Sequence, residues 1–227
     1  MASLVAAAAF FLAIHVLVSG TALRGVIVAR IGETPYKGLF SLASLGALVW
    51  MAMAYNRADG VELWDAGAGA RHLALGVMPF ACILAVGAFS TRSPTLMGME
   101  GALRSPDPAT GILKVTRHPF LWSVVLWALV HLLANGNLAA LVLFGTLLIL
   151  ALVGPPLVDA KRARSHGEAW QSYLAQTSNL PFAALISGRA RTSLGEVGWW
   201  RLAAGLVLYL VLLLAHGLVF GVSPLPM

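Results

Sequence analysis

The chain has 227 residues, of which 59% are hydrophobic and 11% charged, with a mean hydropathy of +0.84. A soluble globular domain carries nearer a quarter charged residues, so that class is excluded and an integral membrane protein is expected. The single cysteine, Cys82, rules out an internal disulfide and a thiolate metal cage, and loop topology explains the formal charge of +6 better than a nucleic-acid partner does.

Hydropathy predicts six membrane spans, roughly 2–22, 38–55, 72–90, 117–134, 137–158 and 199–221. The first lacks a basic region ahead of it and is longer than the apolar core of a secretory signal, so it reads as a retained helix. The fold class is all-α, a polytopic transmembrane helix bundle. Only helices and closed barrels satisfy their backbone in lipid, and these spans are too long and too uniformly apolar for barrel strands. The whole of 1–227 reads as one membrane domain.

The loops orient the bundle. Loop 23–37 carries Arg24, Arg30 and Lys37, loop 91–116 and its edge Arg92, Arg104, Lys114 and Arg117. Segment 159–198 and its edge carry Lys161, Arg162, Arg164, Arg189, Arg191 and Arg201. Assigning alternate loops to one side collects 13 of the 15 Lys and Arg there. That side is expected to be cytoplasmic, with both termini outside, in a bacterial inner membrane. Asn135-Gly136-Asn137 reads as a tight turn. Loop 91–116, with Pro94, Pro106 and Pro108, reads as coil. Segment 159–175 reads as a short interfacial helix. The apolar segment 180–188 is too short to span, so it is either re-entrant or packed over the bundle.

One stretch concentrates the chemistry, Gly111 to Leu133 (GILKVTRHPFLWSVVLWALVHLL). It begins as a basic loop and becomes an apolar helix, with Pro119 tolerated in the first turn. Arg117 and His118 therefore stand at a membrane surface and His131 about four turns along. Ionisable residues placed like this default to a functional reading.

Of six histidines, His166 reads as a solvated surface residue, and His72 and His216 as interfacial. His15, about 10 Å deep in its helix, and His131, about 20 Å deep, each need a hydrogen-bond partner or a metal. An interhelical hydrogen bond satisfies the first need. His118 and His131 are 13 residues apart, about 220° and 20 Å on a helix, so they cannot share one ion. Zinc or copper would want a third ligand, and no carboxylate lies within the spans. Haem brings four nitrogens of its own, and two histidines from facing helices can clamp it. Arg24, Arg30 and Arg117 are then either partners for its propionates or plain cytoplasmic anchors.

The residues also carry a family pattern. His15…Ser19-Gly20-Thr21-Ala22-Leu23-Arg24, Arg30-Ile31-Gly32-Glu33…Leu39-Phe40-Ser41, Gly111 to Pro119, Trp127-Ala128-Leu129-Val130-His131 and Pro181-Phe182-Ala183-Ala184…Gly188-Arg189 resemble the NnrU family of membrane proteins. In the carotene-isomerase branch of that family the resemblance implies haem b held by histidines and a redox-dependent cis–trans isomerisation of a lipophilic polyene. The matching ligand positions are His15, approximately, and His131, with His118 as the substitute. In the bacterial branch it implies an accessory role in nitrite and nitric oxide reduction, the denitrification reading. A second pattern, Arg117-His118-Pro119, a helical hairpin, then Gly167…Trp170…Tyr173…Pro181-Phe182, is similar to the isoprenylcysteine methyltransferases, which implies S-adenosylmethionine.

Overall fold

The computed structural model describes residues 1–225. Among them, five helices are long and apolar enough to cross a membrane, and a sixth, shorter apolar helix lies at the predicted fourth span. The helices fall into two compact units. One holds residues 1–66 and 131–150, the other 67–130 and the chain from Ala151 onward.

In the first unit, α1 (Ala2–Ala13) runs into a π-helical stretch, Ile14–Ser19, and is followed by α2 (Leu23–Ile31) and α3 (Glu33–Asn56). The alanine-rich start of α1 lets it approach α3 closely. Leu4, Ala7 and Ala8 pack on Met51 and Ala54, with Ala139 completing the cluster. Small residues drive such contacts in lipid, where helices gain from van der Waals fit and not from expelling water. Trp50 Nε1 donates to Ser3 Oγ at 2.9 Å across the same pair. The predicted turn at 135–137 is present. The Leu63 amide donates to the Gly136 carbonyl at 2.7 Å, and Asn137 Oδ1 accepts from the Ala140 amide at 2.8 Å, capping the next helix.

The second unit contains α4 (Gly67–Ser90), a 3₁₀ turn (Glu100–Arg104), α5 (Ile112–Val115), α8 (Ala183–Ile186), α9 (Leu194–Val197) and α10 (Trp199–Phe220). Helices α6 (Pro119–Ala134) and α7 (Leu138–Gln176) contribute residues to both units. Helix α10 packs on α4 through Gly205, where a Cβ would fall 2.6 Å from Ile83 Cγ1 and 2.7 Å from Ile83 Cα. Arg201 fastens the same pair, donating from Nε to Ser90 Oγ at 2.9 Å and from Nη2 to the Ser90 carbonyl at 3.0 Å.

Two segments differ from the sequence reading. Residues 159–175 are not one separate helix. The fifth span runs on as helix through Asp159 to Ser165, which is rich in Ala, Lys and Arg, and only 168–176, beyond a break, form a short helix of their own. The chain departs from helical geometry only at Gly167 (φ +47°). Loop 91–116 is not plain coil, since it holds the 3₁₀ turn and α5. Buried Arg162 pins it by donating from Nε to the Pro94 carbonyl at 2.9 Å and from Nη2 to Glu100 at 3.1 Å.

Gly205→Ala is expected to destabilise the protein by about 1–3 kcal/mol, because Ile83 backbone cannot yield as a side chain would. Gly217→Ala, on the same helix with open space at its Cβ, is expected to be neutral. Thermal unfolding in detergent separates the two.

Candidate functional site

The sequence nominates two groups of residues, and they lie in different units. His15 and His131 belong to the first, Arg117 and His118 to the second.

His15 sits in the π-helical stretch, a local widening that recurs at functional sites. Its Nδ1 lies 2.8 Å from the Phe11 carbonyl. A carbonyl only accepts, so Nδ1 carries the proton and Nε2 presents its lone pair, the state required of a metal-ligating imidazole. The half-buried ring is flanked by Phe11 (centroids 4.3 Å apart) and Phe40 (5.1 Å). Phe40 stacks on Tyr36 at 5.9 Å, and the Arg24 guanidinium lies over the Tyr36 ring at 5.2 Å. Tyr36, Phe40 and Ser44 follow one another at four-residue spacing along α3, so they form one stripe. Tyr36 Oη and Ser44 Oγ are buried without a hydrogen-bond partner. Buried polar atoms are rarely left so. Arg24 is paired with Glu33, which also pairs with Lys37.

His131 is half-buried in the last turn of α6, its ring 5.2 Å from that of Phe144. Its carbonyl accepts from the Asn135 amide at 2.9 Å and from Asn135 Nδ2 at 2.7 Å, which closes the helix.

Arg117 and His118 converge on one carboxylate. Arg117 Nε and Nη2 both donate to Asp159 Oδ2, at 3.0 and 2.5 Å, and His118 Nε2 donates to Asp159 Oδ1 at 2.8 Å. The His118 side chain is 1% exposed, those of Arg117 and Asp159 13% and 18%. The backbone of the turn is anchored as well. The Arg117 amide donates to the Ser178 carbonyl at 2.9 Å and Thr116 Oγ1 to the Asn179 carbonyl at 2.7 Å. Within the same unit Trp170 and Tyr173 are fully buried, and their Nε1 and Oη have no partner. Gly111, where the stretch begins, has φ +51° and packs so closely on the Glu196 carbonyl that a Cβ would fall 2.6 Å from it. The Glu196 carboxylate accepts from the Gly111 amide at 3.0 Å and from Lys114 Nζ at 2.7 Å.

The NnrU protein family model matches residues 3–224. The chain belongs to the NnrU family. Among curated relatives, the chloroplastic 15-cis-ζ-carotene isomerase of Arabidopsis thaliana is 33% identical over 175 residues, covering 74% of this chain and 46% of the relative. That of Zea mays is 30% identical over 169 residues, covering 71% and 44%. This NnrU-family chain thus spans less than half the length of those relatives. No solved structure matches it.

The sequence reading missed Asp159 as a partner of the Arg117-His118 turn, and missed Tyr36, Ser44 and Glu196 altogether. Asp159 had a signal. An Arg–His pair at the end of an apolar helix needs an acceptor, and Asp159 stands at the edge of a span. Tyr36 and Ser44 had none, since each is an ordinary residue on an apolar helix until its packing is known. Among the described residues no group of three or more His, Cys, Asp or Glu is placed to hold a bare metal ion.

Asp159→Ala is expected to cost about 3 kcal/mol, near the lower end for removing one partner of a buried pair, because part of the carboxylate reaches solvent. Adding Arg117→Met should recover part of that loss. A double-mutant cycle on unfolding midpoints measures the coupling. Burial alone would raise the Glu196 carboxyl, but the Gly111 amide, the Lys114 ammonium and the Thr192 hydroxyl hold it below the ordinary carboxylate range. Its folded-state value is depressed, so its stabilisation is complete above the unfolded value of about 4.3 and is lost as pH falls through the folded one. Protection of the Gly111 amide from hydrogen exchange should decline over that acidic window, and Glu196→Gln should abolish the pH dependence.

Proposed function

We propose that this NnrU-family protein binds haem b through His15 and His131 and acts as a cis–trans isomerase on a lipophilic polyene. The observation that carries the reading is the state of His15. Its Nδ1 proton is given to a carbonyl and its Nε2 lone pair is open, on a π-helical turn beside a stripe with two orphaned hydroxyls. A polar group that accepts a ligand bond and hydrogen bonds would satisfy all of these. His15 and His131 lie in the same compact unit, which suits a pair of axial ligands. The 15-cis-ζ-carotene isomerases among the relatives add the substrate class, a long apolar polyene that reaches the protein from the bilayer.

His118 and Arg117 are poorer candidates for this role. Every donor that they aim at Asp159 is already used, and His118 is almost wholly enclosed. Arg24, over the Tyr36 ring, is the better-placed guanidinium for a propionate, although it would share itself with Glu33.

The residues have definable tasks. The Phe11 carbonyl orients the His15 ring and fixes its tautomer. Phe11 and Phe40 flank the His15 ring and Phe144 lies against that of His131, so each imidazole has aromatic neighbours. The exposed apolar faces of α1 and α3 admit a polyene from lipid without a polar barrier. Haem bound here would supply an iron able to act as Lewis acid or one-electron centre. The loop charges support insertion from a cytoplasm, and we take the membrane to be a bacterial inner membrane.

The visible spectrum of detergent-purified protein expressed with added haem precursor tests the proposal. A Soret band with sharp reduced α and β bands is expected. His15→Ala and His131→Ala should each lower the Soret absorbance per protein to a small fraction, while Asp159→Asn leaves it in place. A full haem complement in both histidine variants would overturn the ligand assignment, and a featureless spectrum of the parent protein would overturn haem binding itself.

A further inference from the structure

The segment between α7 and α9 carries a row of outward apolar side chains that no helix covers. Leu180, Phe182 and Ile186 are 61%, 54% and 85% exposed. At nine residues, 180–188 cannot span a bilayer. Yet these side chains do not sit on a loose loop. The Phe182 amide donates to the Val115 carbonyl at 2.8 Å, Ser178 Oγ donates to the Leu180 carbonyl at 2.9 Å and accepts from the Ala184 amide at 3.0 Å. Trp122 Nε1 donates to Asn179 Oδ1 at 3.2 Å. Phe182 itself has φ +66°, a left-handed conformation that glycine adopts without strain and a phenylalanine does not. The backbone is held firmly enough to keep that strain, and it holds a phenyl ring outward.

The packing sets the depth of this platform. Leu185, one residue from Ile186, packs into a cluster with Ile112, Val197 and Leu202. Leu202 lies in the first turn of α10, and Trp199 and Trp200, which open that helix, are 65% and 57% exposed. Adjacent exposed tryptophans at the mouth of an apolar helix mark the membrane–water interface. The apolar row therefore sits at the level where α10 enters lipid. Arg189 is bonded to the Leu174, Ala175 and Thr177 carbonyls, while Arg191 beyond it is exposed, and a cation beside an apolar row suits the headgroup region of an anionic leaflet.

We propose that residues 180–188 form an interfacial anchor, which seats Leu180, Phe182 and Ile186 in the boundary between headgroups and acyl chains of the surrounding phospholipid bilayer. The occupant is the membrane itself. Because Phe182 is bonded to Val115, and Asn179 just ahead of the segment to Thr116 and Trp122, the anchor ties the Arg117-His118-Pro119 turn to the bilayer surface.

The test uses the full chain with Cys82→Ser and one new cysteine, Ile186→Cys, bearing a nitroxide. Asp107→Cys, on an exposed loop, serves as the aqueous reference and Leu214→Cys, on the exposed face of α10, as the lipid reference. Each is reconstituted in phosphatidylcholine vesicles with and without phosphatidylglycerol. Relaxation by oxygen, which concentrates in lipid, is compared with relaxation by a water-soluble nickel chelate. The label at 186 should collide with oxygen several-fold more, relative to nickel, than the label at 107, at a depth shallower than 214. Phosphatidylglycerol should deepen it, and Arg191→Gln should reduce that dependence. Nickel accessibility at 186 equal to that at 107 overturns the proposal. So does shielding from both reagents, which would mean that a protein, either a second copy or another chain, covers the row.

Discussion

Asp159 is the interaction on which the second unit depends. The Arg117-His118-Pro119 turn brings two donor side chains to the end of an apolar helix, where water is scarce and an unmet donor costs free energy. One carboxylate meets both, taking a forked contact from Arg117 and a single bond from His118. It comes from α7, 42 residues further along the chain. That contact sets how α6 begins against α7, and the turn then presents its own backbone to Ser178 and Asn179. The chain after α7 is placed by those bonds. A charge pair of this kind adds little net stability over an apolar replacement. Its contribution is to allow one arrangement of the helices and penalise others, which apolar packing in lipid does only weakly.

The two nominated histidine environments differ in the same terms. His118 has a carboxylate on Nε2, a wall of protein around it and no room for another group. His15 has only a backbone carbonyl on Nδ1, aromatic neighbours on two sides and unmet hydroxyls along the facing stripe. One imidazole is finished and the other is not. The same contrast recurs at Trp170 and Tyr173, whose Nε1 and Oη are buried without partners in the second unit.

The spans were legible in the sequence because lipid imposes a length and a composition that few other environments require. The predicted 72–90 and 199–221 differ from α4 and α10 by a few residues at one end. The turn at Asn135-Gly136-Asn137 was legible from residue types alone. What escaped were features made by contacts across the chain. Helix α7 overran its predicted end because hydropathy falls at Asp159 while helix propensity does not. The π-helical turn under His15 leaves no mark in hydropathy, since Ile14 to Ser19 reads as uninterrupted apolar helix. The carboxylate on Arg117 could have been sought from charge balance, but the choice of Asp159 depended on how α6 and α7 meet.

The π-helical turn explains why spacing on helix 1 is a poor guide to what His15 faces. A regular α-helix turns 100° per residue. A π turn takes in an extra residue, so everything beyond it is rotated relative to a count made at the regular angle. Here the widening runs from Ile14 to Ser19, and His15 lies at its beginning. Its azimuth is therefore set by the regular helix Ala2–Ala13 and by the bond to Phe11, both ahead of it. The chain then leaves the helix at Gly20 to Ala22, and Arg24 lies in the separate helix α2. The local hydrogen bond, which acts on the ring itself, is the stronger guide to the direction of the imidazole.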